Sequence, residues 1–201
     1  MPIGFPGAEQ ERRYGRYVGE PAPEDLARCF HLDDADRALV AARRWGHMRL
    51  GFAVQLGTVR FLGAFLEDPA DVPPGVAADL ARQLGIADPG RLARYREGRA
   101  RFGRAAEIRA RYGYREFTDP AAGFRLVRWL YALCWTGSDR PGALFDRAAA
   151  WLVAHKVLLP GATVLERLVA RARARDTPPV AGPGPRRRRG AARGPRAPPP
   201  A

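Results

Sequence analysis

Apolar and polar positions follow a helical period along almost the whole chain. PEDLARCF, from Pro23 to Phe30, opens with proline and two acids, the composition of a helical first turn. Asp33 or Asp34 is placed to cap the following helix, ADRALVAARR. Three aspartates so close together (Asp33, Asp34, Asp36) invite a metal or acid–base reading. At a helix start they are better read as capping and dipole residues. The most apolar segment runs from His47 to Leu66. Met48, Phe52, Gln55, Leu56, Val59, Leu62 and Leu66 trace one stripe, and Leu50, Val54, Phe61 and Phe65 cover much of the opposite side. A helix apolar nearly all round is a central one. Gly51, Gly57 and Gly63 cost it helix propensity, which predicts close approach of neighbouring elements there.

Val76, Leu80, Ala81 and Leu84 mark a short helix that Gly85 ends, and Pro89 starts another carrying Leu92 and Tyr95. This pattern suits a helix-turn-helix, although any two short packed helices share it. Arg91, Arg94 and Arg96 would then lie on the groove-facing helix. The next stretch, REGRARFGRAAEIRARYGYREF, places Arg99, Arg101, Arg104, Arg109 and Arg111 among Phe102, Tyr112, Tyr114 and Phe117. Arginine interleaved with aromatics suits phosphate contact beside sugar or base packing; the plainer alternative is a solvated helix face. Glu97, Glu107 and Glu116 are too few to lace all these arginines into salt bridges. Arg43, Arg44 and Arg49, where the capped helix meets the apolar one, complete the candidate DNA-binding set. Three further helices read as structural. Phe124, Val127, Tyr131 and Cys134 form a stripe beside Leu126, Leu130 and Leu133. Leu144, Phe145, Ala148, Trp151 and Leu152 follow Pro141, and Leu165, Leu168, Val169 and Ala172 follow Pro160-Gly161.

Charge narrows the picture. The 201 residues carry a net +13, almost all of it from arginine, with Lys156 the single lysine. Such a chain pairs with a polyanion, and DNA comes first because neutralised phosphates release counterions. GC-rich coding explains part of the Arg, Ala, Gly and Pro excess. From Asp176 onward, six arginines face one aspartate among eight prolines and four glycines. That tail, 176–201, is expected to be disordered. It is either a basic arm built on Arg186 to Arg189 or a frame-shifted gene end. Cys29 and Cys134 give no metal signature and no disulfide framework, and both sit in apolar stretches. The N-terminus is too polar for a signal peptide, and no run reaches the roughly 18 apolar residues of a membrane span. The expected location is the cytoplasm, associated with the nucleoid. No Gly-rich phosphate loop, zinc-like His spacing or Ser–His–acid arrangement is present, and His31, His47 and His155 are scattered.

Several segments in order resemble one family. They are F-x-x-x-E-Q-x-x-x-Y-G from Phe5 to Gly15, D-R-x-L-V-x-x-R-R from Asp36 to Arg44, and R-L-G-F-A-V-Q-L-G-T-V-R-F-L-G-x-F from Arg49 to Phe65. V-P-P-G-V, L-A-x-Q-L-G-I and E-I-R-x-x-Y-G-Y-R-x-F (Glu107 to Phe117) follow. F-R-L-V-R-W-L-Y and W-L-x-x-x-K-V-L-L-P-G-x-x-V-L-E-R-L, reaching Leu168, complete the series. Together they resemble the N-terminal region of transposases of the Tn-three family. The resemblance implies a helical region with more than one DNA-binding module that recognises terminal inverted repeats of double-stranded DNA. It also implies a magnesium-dependent catalytic domain elsewhere, to which nothing here corresponds. Arg104 stands where relatives usually carry histidine, keeping a donor and adding a permanent charge. The Pro/Arg tail replaces the family's continuation and suggests truncation.

The expected protein is therefore all-α, with about eight to ten helices and helix-turn-helix-like modules. Residues 1–175 form the DNA-binding region, divisible near 70 into 1–70 and 71–175. No catalysis and no cofactor are expected. The alternative is a non-catalytic interaction or inhibitory fragment acting through a full-length transposase, or an inert remnant.

Overall fold

Proline and aspartate set most of the helix starts. The computed structural model describes residues 7–97, 101–137 and 139–176. In chain order the helices are α1 (Ala8–Arg13), α2 (Pro23–Asp25, continuing into a π-helical turn over Leu26–Phe30), α3 (Asp34–Ala41) and α4 (Gly46–Leu62). A 3-10 turn over Pro69–Asp71, α5 (Pro74–Gln83) and a 3-10 helix over Pro89–Glu97 follow. The chain continues with α6 (Arg101–Tyr112), α7 (Pro120–Thr136), α8 (Pro141–Ala154) and α9 (Ala162–Asp176). Proline opens α2, α5, α7 and α8, where its missing N–H has no helical partner to lose. Asp33 caps α3 by accepting from the Asp36 N–H at 2.7 Å, and the Asp36 side chain accepts the Asp33 N–H in return. No strand occurs among the described residues, so the all-α expectation holds.

The first core is built on α4, whose residues from Leu50 to Val59 are all buried. Around it lie the π-helical turn, α3, α5, the 3-10 helix over Pro89–Glu97 and Ile108 of α6. The expected close approaches fall at all three glycines. A Cβ on Gly51 would run into the Tyr95 ring, and one on Gly57 into the Phe30 ring. A Cβ on Gly63 would come within 2.8 Å of the Val153 side chain, and Gly63 also ends the helix at φ +70°, a left-handed cap that favours glycine. This core runs across position 70. The second core lies in α7, α8 and α9, centred on Leu126, Leu130, Phe145, Leu152, Leu165 and Val169.

Backbone and polar side chains join the cores. The Arg115 N–H donates to the Lys156 carbonyl and the Leu158 N–H to the Arg115 carbonyl, each at 2.9 Å. The Leu159 N–H reaches the Gly63 carbonyl at 2.9 Å. The α1 segment straps the outside. Gln10 donates to the Gly142 carbonyl at 3.0 Å, Tyr14 packs on Phe145, and Tyr17 shares a 2.7 Å hydrogen bond with Thr58 of α4.

Several motif positions thus turn out to be staples. Gln55, buried, holds both the N–H and the carbonyl of Leu66. Gln83 accepts from the Leu32 N–H and donates to the Phe30 carbonyl.

Candidate nucleic-acid interface

The α3–α4–α6 junction is organised by Asp36, which is 1% exposed. Arg60 grips its two oxygens at 2.8 Å each, and the Tyr112 hydroxyl donates to it at 2.6 Å. Burial alone would raise the Asp36 pKa, but the Arg60 and Tyr112 hydrogen bonds outweigh it and hold the carboxyl below its ordinary value. Burial, together with the same contact, raises Tyr112. Asp36 is therefore a capping residue, as its position suggests, and also a clamp between three helices.

The candidate arginines lie on elements that meet around the N-terminal half of α4, but the structure uses many of them internally. Arg43 is 16% exposed, paired with Glu107 at 2.6 Å and set 4.2 Å over the Phe52 ring. Arg49 donates to the Arg43 carbonyl at 2.8 Å. Arg104 is 7% exposed, its guanidinium 4.4 Å over Tyr95 and donating to the Met48 sulfur at 2.8 Å. That position leaves no face for a phosphate. Arg109 pairs with Glu116. In this stretch Glu107 pairs with Arg43 and Glu116 with Arg109, burial and the Tyr95 ring take up Arg104, and Arg111 stays exposed. Arg104→Ala is expected to lower stability by about 2 kcal/mol through the lost desolvated cation–π contact. Parallel thermal melts and gel shifts check it, and an unchanged melt with weakened DNA binding would contradict this role.

Outward-facing members of the set are Arg44, Arg91, Arg94 and Arg111. Arg44 lies 4.9 Å over Trp45, and Arg91 sits 3.8 Å from Asp88. Arg96 and Arg101 are on helices but their side chains lie outside the described residues, as does Arg99 altogether.

The second half of the helix-turn-helix pattern is a 3-10 helix, not an α-helix. The turn itself forms as expected: Gly85 takes φ +64° and the Ile86 N–H returns to the Ala81 carbonyl at 2.9 Å. In a 3-10 helix residues three apart eclipse, so Leu92 and Tyr95 both face α4 and are buried, while Arg91 and Arg94 share the outer ridge.

Helix α7 corrects a second expectation. Its buried side carries Ala122, Leu126 and Leu130, whereas Phe124 is 68% and Trp135 84% exposed. Both arcs of this helix are apolar enough to pass for a core stripe, and packing against α8 and α9 selects one. Arg125 and Arg128 also face outward, and neither forms an ion pair among the described residues.

Among the described residues, fold and surface define an all-helical, strongly basic protein in which several outward arginines have no ion pair. Residues 7–172 match the family described as "Domain of unknown function (DUF4158)", and the chain belongs to that family. It is 48% identical over 176 residues to the transposase for transposon gamma-delta of Escherichia coli, covering 87% of this chain and 18% of the relative. It is 31% identical over 157 residues to the transposase for transposon Tn1546 of Enterococcus faecium, covering 76% and 16%. The transposase for transposon Tn501 of Pseudomonas aeruginosa is 32% identical over 158 residues, covering 76% and 15%. These relatives are transposases, as the Tn-three resemblance implied, and the chain spans less than a fifth of their length. Among the described residues, no helix is long and apolar enough to cross a membrane.

Proposed function

We propose that this chain binds double-stranded DNA at the terminal inverted repeats of a transposon, as the DNA-reading part of a Tn-three family transposase, and carries no catalytic centre of its own. The kinship to three transposases supports the biological role. The observation that carries the physical reading is the outward ridge of Arg91 and Arg94, on a helix anchored by Leu92 and Tyr95. Two exposed guanidiniums on one side of an anchored helix are suited to phosphates or guanine edges. Arg44, set over Trp45, and Arg111, at the end of α6, extend the basic surface.

Gel-shift titration tests the reading, using a duplex that carries a terminal repeat of the gamma-delta transposon against a scrambled duplex of equal length. Tighter binding to the repeat is expected, with a steep salt dependence. Replacing Arg91 and Arg94 together by Ala should reduce the log–log salt slope by about 1.8, at roughly 0.9 per phosphate contact. Equal affinity for both duplexes would remove the sequence-specific part of the proposal.

A further inference from the structure

The described residues leave Phe124, Arg125, Arg128 and Trp135 exposed on the outer face of α7. On the ~100° per residue of an α-helix, Phe124, Arg125, Arg128, Ala132 and Trp135 fall within an arc of about 100°, opposite Ala122 and Leu126. All five are exposed. A solvated face of a soluble helix is ordinarily covered by mixed charges; this one combines two large aromatics with two cations. From Pro120 to Thr136 the helix has no acidic residue at all.

We propose that this face is a second contact for duplex DNA, in which Arg125 and Arg128 meet phosphates while Phe124 and Trp135 pack against sugars and base edges in the groove. The inference rests on the DNA-binding reading above and adds to it a separate element in the second core. Charge complementarity selects the occupant. Arg125 and Arg128, with no ion pair among the described residues and no acid on their own helix, favour a polyanion, and the chain's net +13 disfavours a second copy of itself. Geometry agrees. Ala132 is small enough to let the helix backbone approach, and Phe124 and Trp135, eleven residues apart, are separated by about 16 Å along the axis. That is about the rise of half a turn of duplex. Aromatic side chains inserted against base steps are an established way for a protein to hold a bent or widened groove.

The test uses the full chain and the gamma-delta repeat duplex named above, with two paired variants. Arg125→Ala/Arg128→Ala is expected to reduce the log–log salt slope by about 1.8. Phe124→Ala/Trp135→Ala is expected to weaken binding about tenfold with the slope unchanged, since it removes contact without removing charge. All four positions are exposed, so both variants should melt at the parent temperature. If both bind like the parent chain with the parent slope, the α7 contact is overturned while DNA binding stands. Should the parent chain bind no duplex, both readings fall together. Sedimentation covers the remaining case: a parent dimer that the aromatic variant dissociates would make this face an interface between copies and overturn the proposal.

Discussion

Replacing Asp36 by Ala is expected to destabilise the protein by about 3 kcal/mol, at the lower end of the range for removing one partner of a buried ion pair. Three losses coincide. Arg60, with 23% of its side chain exposed, keeps its charge but loses both carboxylate contacts. The Tyr112 hydroxyl loses its acceptor, and the Asp33 N–H loses the return half of its capping box. Because water still reaches part of Arg60, the cost stays near 3 rather than 5 kcal/mol. Urea unfolding measures it as a lower midpoint at unchanged slope.

The pH dependence follows from the same group. The folded-state pKa of Asp36 lies below its unfolded value, so its contribution is fully present above about pH 4 and is lost as pH falls through the folded pKa. Asp36→Ala should therefore flatten the acid limb of the stability curve while leaving the neutral limb parallel to the parent's. The apolar double replacement Asp36→Leu/Arg60→Met should cost less than Asp36→Ala alone, because it leaves no uncompensated charge. An Asp36→Ala loss below about 1 kcal/mol would mean that solvent already screens the pair.

Phe30→Ala is expected to cost about 3–5 kcal/mol, as for other fully buried aromatic truncations. Phe30 is 0% exposed and its ring occupies the space that a side chain at position 57 would need. The informative experiment is the double-mutant cycle with Gly57→Ala. In the parent, Gly57→Ala drives a Cβ into the Phe30 ring from a fixed helical backbone, with an overpacking cost of about 1–3 kcal/mol. That cost is offset only partly by a gain in helix propensity of up to about 1 kcal/mol. With Phe30 shortened, the clash disappears and the propensity gain remains, so the same substitution should become stabilising by up to about 1 kcal/mol. Additive effects across the cycle would show that α4 and the π-helical turn relax apart, and that Gly57 is not required by the contact.

Much of the first core was legible because periodicity and composition act locally. The all-round apolarity of His47 to Leu66 marked α4 as the central helix, and its glycines marked where Tyr95 and Phe30 come closest. A cap at Asp33 or Asp34 was legible because a side chain three residues from the N–H it accepts needs no tertiary information, and Asp33 is the one that takes it. The candidate interface was less legible. Arg104 and Arg94 look alike in a list of arginines, yet one is sealed over Tyr95 and the other faces water. Their difference depends on a 3-10 register that Pro89 and Gly90 do not specify by themselves. Phe124 passed for a core residue because α7 has apolar residues on two arcs.

By itself, then, the sequence determined where helices begin, which helix is central, and that the chain carries an arginine-rich, acid-poor balance suited to a polyanion. Those properties are sums over near neighbours and over composition. The tertiary structure decided which charges remain available. Arg43, Arg60, Arg104 and Arg109 meet partners 64, 24, 56 and 7 residues away, respectively. Pairing of Arg43, Arg60 and Arg104 over such separations is fixed by how α3, α4 and α6 cross, and each guanidinium is turned toward its partner in the fold. The arginines that remain outward are held at most by exposed neighbours: Arg44 lies over Trp45 and Arg91 beside Asp88, while Arg94 and Arg111 form no ion pair among the described residues.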